Sequence, residues 1–207
     1  LPGVQTSNFG AGVGRPIIRG LDGPRVGVLS GGLSSQDVST ISQDHATAVE
    51  PFLADQIEVL KGPATLLYGS GAIGGVVNVV DGRIAERQLD ETFKGRAELR
   101  HDTVNRGRTV MARIDASGAD GALVLHADGV YRDQDDYDTP DGEQLNSFVE
   151  TRTGALGASW IGAEGFIGVS LSRYDNRYGN PGEPGDPSAG EAGVSLDMLQ
   201  NRFELKT

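Results

Sequence analysis

The chain has 207 residues and a formal charge of −11 at pH 7, which lacks the basic stripe that a nucleic-acid partner requires. It contains no cysteine, so a disulfide framework and a thiolate metal centre are excluded. No apolar run approaches the ~20 residues of a membrane-spanning helix, but barrel strands need only ~10 and alternate in polarity, so a transmembrane barrel stays open.

The first twenty residues are Leu1-Pro2-Gly3-Val4, a glycine-rich tract (Gly10, Gly12, Gly14) and Arg15-Pro16-Ile17-Ile18-Arg19-Gly20. Pro16 biases Arg15 towards extended geometry, and Ile17 and Ile18 start a short strand. Leu21-Asp22-Gly23-Pro24 is a turn signal. Arg25-Val26-Gly27-Val28-Leu29 reads as the returning strand, and Ser30-Gly31-Gly32 as a further turn. Arg15 and Arg19 suit either a solvated strand face or buried pairing with carboxylates. Residues 33–45 are polar and read as an irregular loop. Residues 46–55 suggest short helical pieces around Pro51. His45, beside Asp44 and with Asp37 nearby, offers nitrogen and oxygen donors of the kind zinc takes, although a complete site needs three or four ligands and no second histidine lies close.

Residues 56–80 are the most ordered stretch of the sequence. Ile57 and Val59 alternate with Glu58 and Leu60, a strand pattern. Lys61-Gly62-Pro63 stops it, because proline cannot donate to a ladder and glycine permits a sharp turn. Ala64–Tyr68 suits one helical turn. Gly69, Gly71, Gly74 and Gly75 keep the backbone permissive and free of bulk. Val76-Val77-Asn78-Val79-Val80 is a second strand with one polar residue inside. A phosphate-cradling loop is disfavoured, since GxxxxGK[ST] is absent and the glycines lead into a valine run and not a helix.

Ile57-Glu58-Val59-Leu60-Lys61-Gly62-Pro63-Ala64, Leu67-Tyr68-Gly69-Ser70 and Gly74-Gly75-Val76-Val77-Asn78 together resemble the plug domain of TonB-dependent outer-membrane receptors. Leu1–Val4, Pro16–Leu21 and Arg25–Leu29 resemble the same domain in the same order. The motif residues are Arg15, Arg19, Gly20, Glu58, Gly62, Pro63, Tyr68, Gly69, Gly74, Gly75 and Asn78. Asp44-His45-Ala46 resembles the loop of zinc-uptake receptors of this family, in which an outward plug histidine takes part in metal capture. The resemblance implies His45 as a ligand-binding residue, and the donor chemistry adds Asp44 and Asp37 as candidate ligands.

Asp81–Asp90 is polar and turn-rich and marks the domain boundary. From Phe93 the pattern is alternation at regular spacing. Phe93, Gly95, Ala97 and Leu99 alternate with Lys94, Arg96, Glu98 and Arg100. Val110, Ala112, Ile114 and Ala116 alternate with Met111, Arg113 and Asp115. Leu123, Leu125, Ala127 and Tyr131 alternate with Val124, His126, Asp128 and Arg132. Residues 148–161, Ile167–Leu171 and Leu199–Leu205 continue the series, making six strands of a length that crosses an outer membrane when tilted. Turns at 105–107, 117–121 and 162–165 are short, whereas 133–146 and 174–194 are long. Long loops on one side and short turns on the other suit an outer-membrane barrel, apart from the short turn after the first strand. A soluble sandwich also alternates, but the charged faces and an aromatic content of 6% fit a wet lumen better. The acidic run Asp135–Glu143 lacks EF-hand spacing and reads as a solvated loop.

The expected fold is therefore an α+β plug domain, a small mixed sheet with short helices, over residues 1–88. Residues 89–207 are expected to form the first six antiparallel strands of a transmembrane β-barrel. Six strands cannot close around a plug, since plugged transporters use about 22, so the barrel is expected to be incomplete in this chain; the opening in mid-pattern at Leu1–Val4 leads us to expect the protein's own start upstream. The resemblance implies an outer-membrane active transporter, not an enzyme. It would import a scarce metal ion or metal chelate such as zinc or a siderophore, with no required cofactor. The implied partners are the TonB complex, outer-membrane lipid and a small metal-containing ligand. The alternative is a soluble β-rich binding or adhesion module.

Overall fold

In a computed structural model, residues 1–34, 45–62, 68, 72–186, 188–191 and 193–207 are described. They fall into two units. The first comprises Leu1–Asp81, Asp136–Phe148 and Tyr178–Leu196, and the second Gly82–Asp135, Val149–Arg177 and Asp197–Thr207.

The first unit opens with a hairpin. Strand β1 (Val4–Gly10) pairs antiparallel with β2 (Val13–Ile18), Val4 opposite Ile18, with a register shift between Asn8 and Gly10. Sequence reading placed only a glycine-rich tract and a start of strand at Ile17 here. The glycines concealed the strand because their missing side chains erase the alternation on which the reading depends. Ile18 is fully buried.

A second sheet holds β3 (Val26–Ser30), β4 (Leu33–Ser34), β5 (Gln56–Leu60) and β6 (Gly75–Val80) in the order β4-β3-β6-β5. β3 and β6 run parallel, and the outer pairs are antiparallel. Leu29, Ala72 and Val76 form its buried cluster, with Leu60 packed against them. β5 and β6 are the two strands expected from the alternation at Ile57–Leu60 and the valine run. The helical piece expected near Pro51 is a single 3-10 turn, Pro51–Leu53, in which the Glu50 carboxylate accepts the Phe52 N–H at 3.3 Å and Leu53 is buried. The acidic loop carries a short hairpin of β10 (Tyr137–Thr139) and β11 (Gly142–Gln144).

The second unit is built on one antiparallel sheet. Its strands are β7 (Phe93–Asp102), β8 (Gly107–Gly118), β9 (Leu123–Gln134), β12 (Val149–Ile161), β13 (Phe166–Gly179) and β14 (Ser195–Lys206), in the order β14-β13-β12-β9-β8-β7. These are the six expected strands, each adjacent to its sequence neighbour. β13 runs on to Gly179, further than the loop expected from Tyr174, because Tyr174, Asn176 and Tyr178 continue the period of two with polar and aromatic residues. The two faces separate on β8, β9, β12 and β13, whereas the edge strand β7 is exposed throughout. Val110, Ile114, Leu125, Leu156, Trp160, Leu171 and Phe203 are exposed, Leu156 and Phe203 at 65% each. Thr109, Met111, Arg113, Asp115, His126, Thr151, Ser159 and Ser170 are buried. This resolves the orientation of β12, whose outward face is ambiguous in the sequence: Leu156 and Trp160 point out, and Thr151, Ala155 and Ser159 point in.

Gly75 sits where β6 begins, at φ +155°. A Cβ there would run into the Ile18 side chain and lie 3.0 Å from the Leu60 carbonyl. Gly75→Val is expected to destabilise the first unit by about 2 kcal/mol or more, from backbone strain together with overpacking. The readout is amide exchange in β3 and β6; unchanged protection would contradict it.

Candidate functional site

The inner face of the second unit's sheet carries a chain of buried charges. Arg113 and Asp115 are two apart on β8 and so share a face, as do His126 and Asp128 on β9. The register sets Asp115 opposite His126 and Arg113 opposite Asp128. His126 Nδ1 lies 2.6 Å from Asp115 Oδ1, and Nε2 lies 2.8 Å from Asp128 Oδ2. The Arg113 Nε donates to Asp115 Oδ2 at 2.9 Å. From outside the sheet, Arg83 Nε donates to the other end of this group, reaching Asp128 Oδ2 at 3.0 Å. Two guanidinium groups therefore balance two carboxylates around one imidazole. Arg202 and Glu204 form a further ion pair on β14.

The same segment that supplies Arg83 is seated by glycines. Gly157 lies opposite His126, and a Cβ there would overlap the Arg83 carbonyl oxygen. A Cβ at Gly168 would overlap the Ile84 side chain, and one at Gly121 would lie 3.2 Å from the Gln88 carboxamide. Lys206 reaches Glu86 at 3.6 Å. Residues 83–88 thus run along the inner face of the sheet as a strap. Some of the sequence signals were legible singly: Ile84 is the large aliphatic residue of a polar stretch and Gly168 falls at an inward strand position, whereas the facing of Gly157 on β12 emerges only in the structure. Nothing in the sequence joined them.

In the first unit, Asn78 ties the small sheet to its surroundings. Its Nδ2 donates to Glu58 Oε2 at 2.9 Å, and its Oδ1 accepts from the Gly32 N–H at 2.9 Å. Glu58 and Asn78 are thus brought together, directly opposite in register. Gly62 adopts φ +94°, and Arg19 and Gly20 adopt φ +53° and +78° in the turn after β2. Arg15 is buried and Arg19 exposed. Gly74 packs so that a Cβ would lie 2.9 Å from that of Leu21. Tyr68 is exposed. Pro63, Gly69, Asp37 and Asp44 lie outside the described residues. His45 is half-buried. Its neighbour Ala46 donates its N–H to the hydroxyl oxygen of Tyr178, at 2.8 Å, which sets the histidine beside the start of the long loop 180–194. Further along that loop, the Ser188 hydroxyl and the Ser188 and Ala189 N–H groups hold the Asp186 carboxyl below the usual carboxylate range.

Residues 1–76 match the family model of the TonB-dependent receptor plug domain. The chain is 30% identical to the vitamin B12 transporter BtuB of Photobacterium profundum, over 99% of this chain and 35% of that protein. Residues 1–76 are therefore a plug domain of the TonB-dependent receptor kind. The hemin receptor of Yersinia pestis is 36% identical, over all of this chain and 30% of its own length. This receptor chain spans about a third of the length of the curated relatives it matches. Among solved structures, the copper transporter OprC superposes with a TM-score of 0.77 at 21% identity, over 99% of this chain and 30% of that one. The FrpB iron transporter from Neisseria meningitidis superposes at 0.75 and 16% identity, over 99% and 33%. Both show the same fold.

The receptor's place is the bacterial outer membrane. An exposed apolar face opposite a buried charged one is the pattern of a strand that meets lipid on one side. The residues that sequence reading missed are Arg83, Ile84 and Gly157, together with the partnership of His126. Asp128→Ala leaves the Arg83 guanidinium and His126 without a shared acceptor. It is expected to cost about 3–5 kcal/mol, the range for removing one member of a buried ion pair. The check is thermal unfolding of the receptor in detergent; an unshifted melting temperature would contradict the role given to this group.

Proposed function

We propose that the receptor imports a scarce cargo across the outer membrane, a metal ion or a metal chelate, with energy delivered by the TonB complex of the inner membrane. Residues 1–88 act as the plug and residues 89–207 as the first six strands of the wall. The observation that carries this reading is the combination in one chain of a matched plug domain and a sheet whose exposed face is apolar while its buried face is charged. The relatives point the same way, being named as transporters or receptors for vitamin B12, hemin and copper. We read the chain as a carrier and not an enzyme.

Zinc is the first cargo to test, on His45. Its imidazole, with the carboxylates of Asp44 and Asp37, supplies the donor types zinc takes. Among the described residues no three His, Asp or Glu side chains converge into a metal site. A bare ion would therefore need Asp37 and Asp44 to complete the set. A chelate brings its own donors and needs fewer from the protein. His45 is suited to either role because its neighbour Ala46 is fastened to Tyr178, at the foot of a long loop.

Two measurements test this. Uptake of cargo by cells should stop when the TonB complex is deleted, and uptake that persists would contradict active transport. Zinc titration of the receptor in detergent should show binding that weakens at least about tenfold in His45→Ala, since loss of even an outer-shell partner costs 10–100-fold in metal affinity. Zinc binding that is unchanged in the variant would remove His45 from the site, and no zinc binding at all would leave a chelate as the cargo.

A further inference from the structure

The two long loops of the first unit meet at one side chain. The two N–H groups of Asn146 Nδ2 are shared among the carbonyl oxygens of Val194, Asn180 and Glu183, which lie at 2.7, 2.9 and 3.2 Å. Those three carbonyls are no random set. The Asn180 N–H donates to Val194 O at 2.9 Å, the Val194 N–H to Glu183 O at 3.0 Å, and the Glu183 N–H to Asn180 O at 3.0 Å. Together they close the neck of loop 180–194, and Asn146 of loop 136–148 plugs that neck.

Both loops are shaped for this contact. Asn146 adopts φ +61°, a conformation asparagine tolerates better than most residues. Its own loop holds it there: Asp136 Oδ2 accepts the Asn146 N–H at 3.0 Å, and Asp136 Oδ1 accepts the Ser147 N–H at 2.6 Å. On the other side, glycines at both ends of the second loop make room. A Cβ at Gly193 would lie 2.7 Å from Asn146 Cγ, and one at Gly179 would overlap the Asn146 carbonyl.

The joined loops are seated through Tyr178. This side chain is only 2% exposed. Its hydroxyl oxygen accepts the Ala46 N–H, and its ring covers Gly12 in the β1–β2 turn, where a Cβ would lie 2.7 Å from the Tyr178 Cβ. Pro181 covers Gly10 in the same way, 3.0 Å from where its Cβ would stand.

We propose that Asn146 is a positioning residue that makes loops 136–148 and 180–194 a single closing element, which Tyr178 seats on the β1–β2 turn. The clasp is a property of the chain itself; its use in admitting cargo rests on the transport reading above. When the turn is displaced, the Tyr178 seat is lost and both loops are released together, because the Asn146 clasp is independent of the seat.

Amide exchange on the whole receptor tests this without any cargo. Asn146→Gly keeps the backbone conformation and removes the clasp. Exchange at Asn180, Glu183 and Val194 should rise by up to about tenfold, the equivalent of one lost hydrogen bond, while β12 stays protected. Tyr178→Phe removes only the hydroxyl and should raise exchange at Ala46 and in both loops. Faster exchange confined to residues 142–148 in Asn146→Gly would overturn the clasp, and an unchanged Tyr178→Phe receptor would overturn the seat. If Asn146→Gly also strips protection from β12, the pair Asn146→Cys and Gly193→Cys decides, in a chain with no other cysteine. Uptake that is equal with the two cysteines joined and reduced supports one body. Uptake lost only on joining overturns it. Absence of uptake in the reduced pair and in the unmodified receptor alike would count against the transport reading and leave the exchange result standing.

Discussion

Charge buried away from water is tolerated only where each group meets its counterpart, and removing one member exposes the full desolvation penalty of the other. The second unit is arranged around that constraint. Asp115 and Asp128 stand on neighbouring strands at inward positions, His126 bridges them, Arg113 closes one end, and Arg83 closes the other from a different part of the chain. β9 cannot slip by one residue against β8 without turning His126 and Asp128 to the other face, away from Arg113 and Asp115. The path of residues 83–88 is set by the same group, since Arg83 must reach Asp128 while its backbone lies against Gly157.

The opposite face follows from the same alternation. If the inward positions are taken by charged and hydroxyl groups interspersed with Met111, Val124, Val130 and Ala155, the remaining positions must satisfy whatever lies outside. They are Leu, Ile, Val, Trp and Phe, and they are exposed. An exposed apolar face of this extent is unfavourable in water but is what a bilayer requires of a barrel strand. Charged inside and apolar outside is the inverse of a water-soluble sandwich, whose apolar faces meet each other. The family relationship and the physical pattern therefore agree without either being needed to derive the other.

Much of this was legible in the sequence, for a physical reason. A period of two is the direct signature of a strand with unlike faces, and it survives in any context that keeps the faces different. β5 and the strands of the six-stranded sheet could be read in this way, apart from the facing of β12; β6 showed as a valine run and the turn at Pro51 by its proline. β1 could not, because Gly10 carries no side chain to reveal a face and Thr6, Ser7 and Asn8 are all polar. Contacts between distant segments were also hidden. Alternation put Arg113, Asp115 and Asp128 on one face, but Arg83 stood in a stretch that read as a boundary, and His126 read as one more strand residue. Asn146 and Tyr178 likewise sat in a polar loop whose composition says nothing about where its side chains reach. Glycine held part of the missing information: Gly157, Gly168, Gly12 and Gly193 each mark a close approach, yet a glycine does not name what approaches it.

The central claim is that the six-stranded sheet is membrane wall, apolar to lipid and charged within. Its most direct test is a single-cysteine scan of β9 in the receptor reconstituted into bilayers, each thiol carrying a fluorophore and read for quenching by a spin label attached to lipid tails. The account requires alternation: strong quenching at Leu125→Cys and Ala127→Cys, and little at Val124→Cys and Val130→Cys. Equal quenching along the strand, or strong quenching at Val124 and Val130 instead, would contradict it.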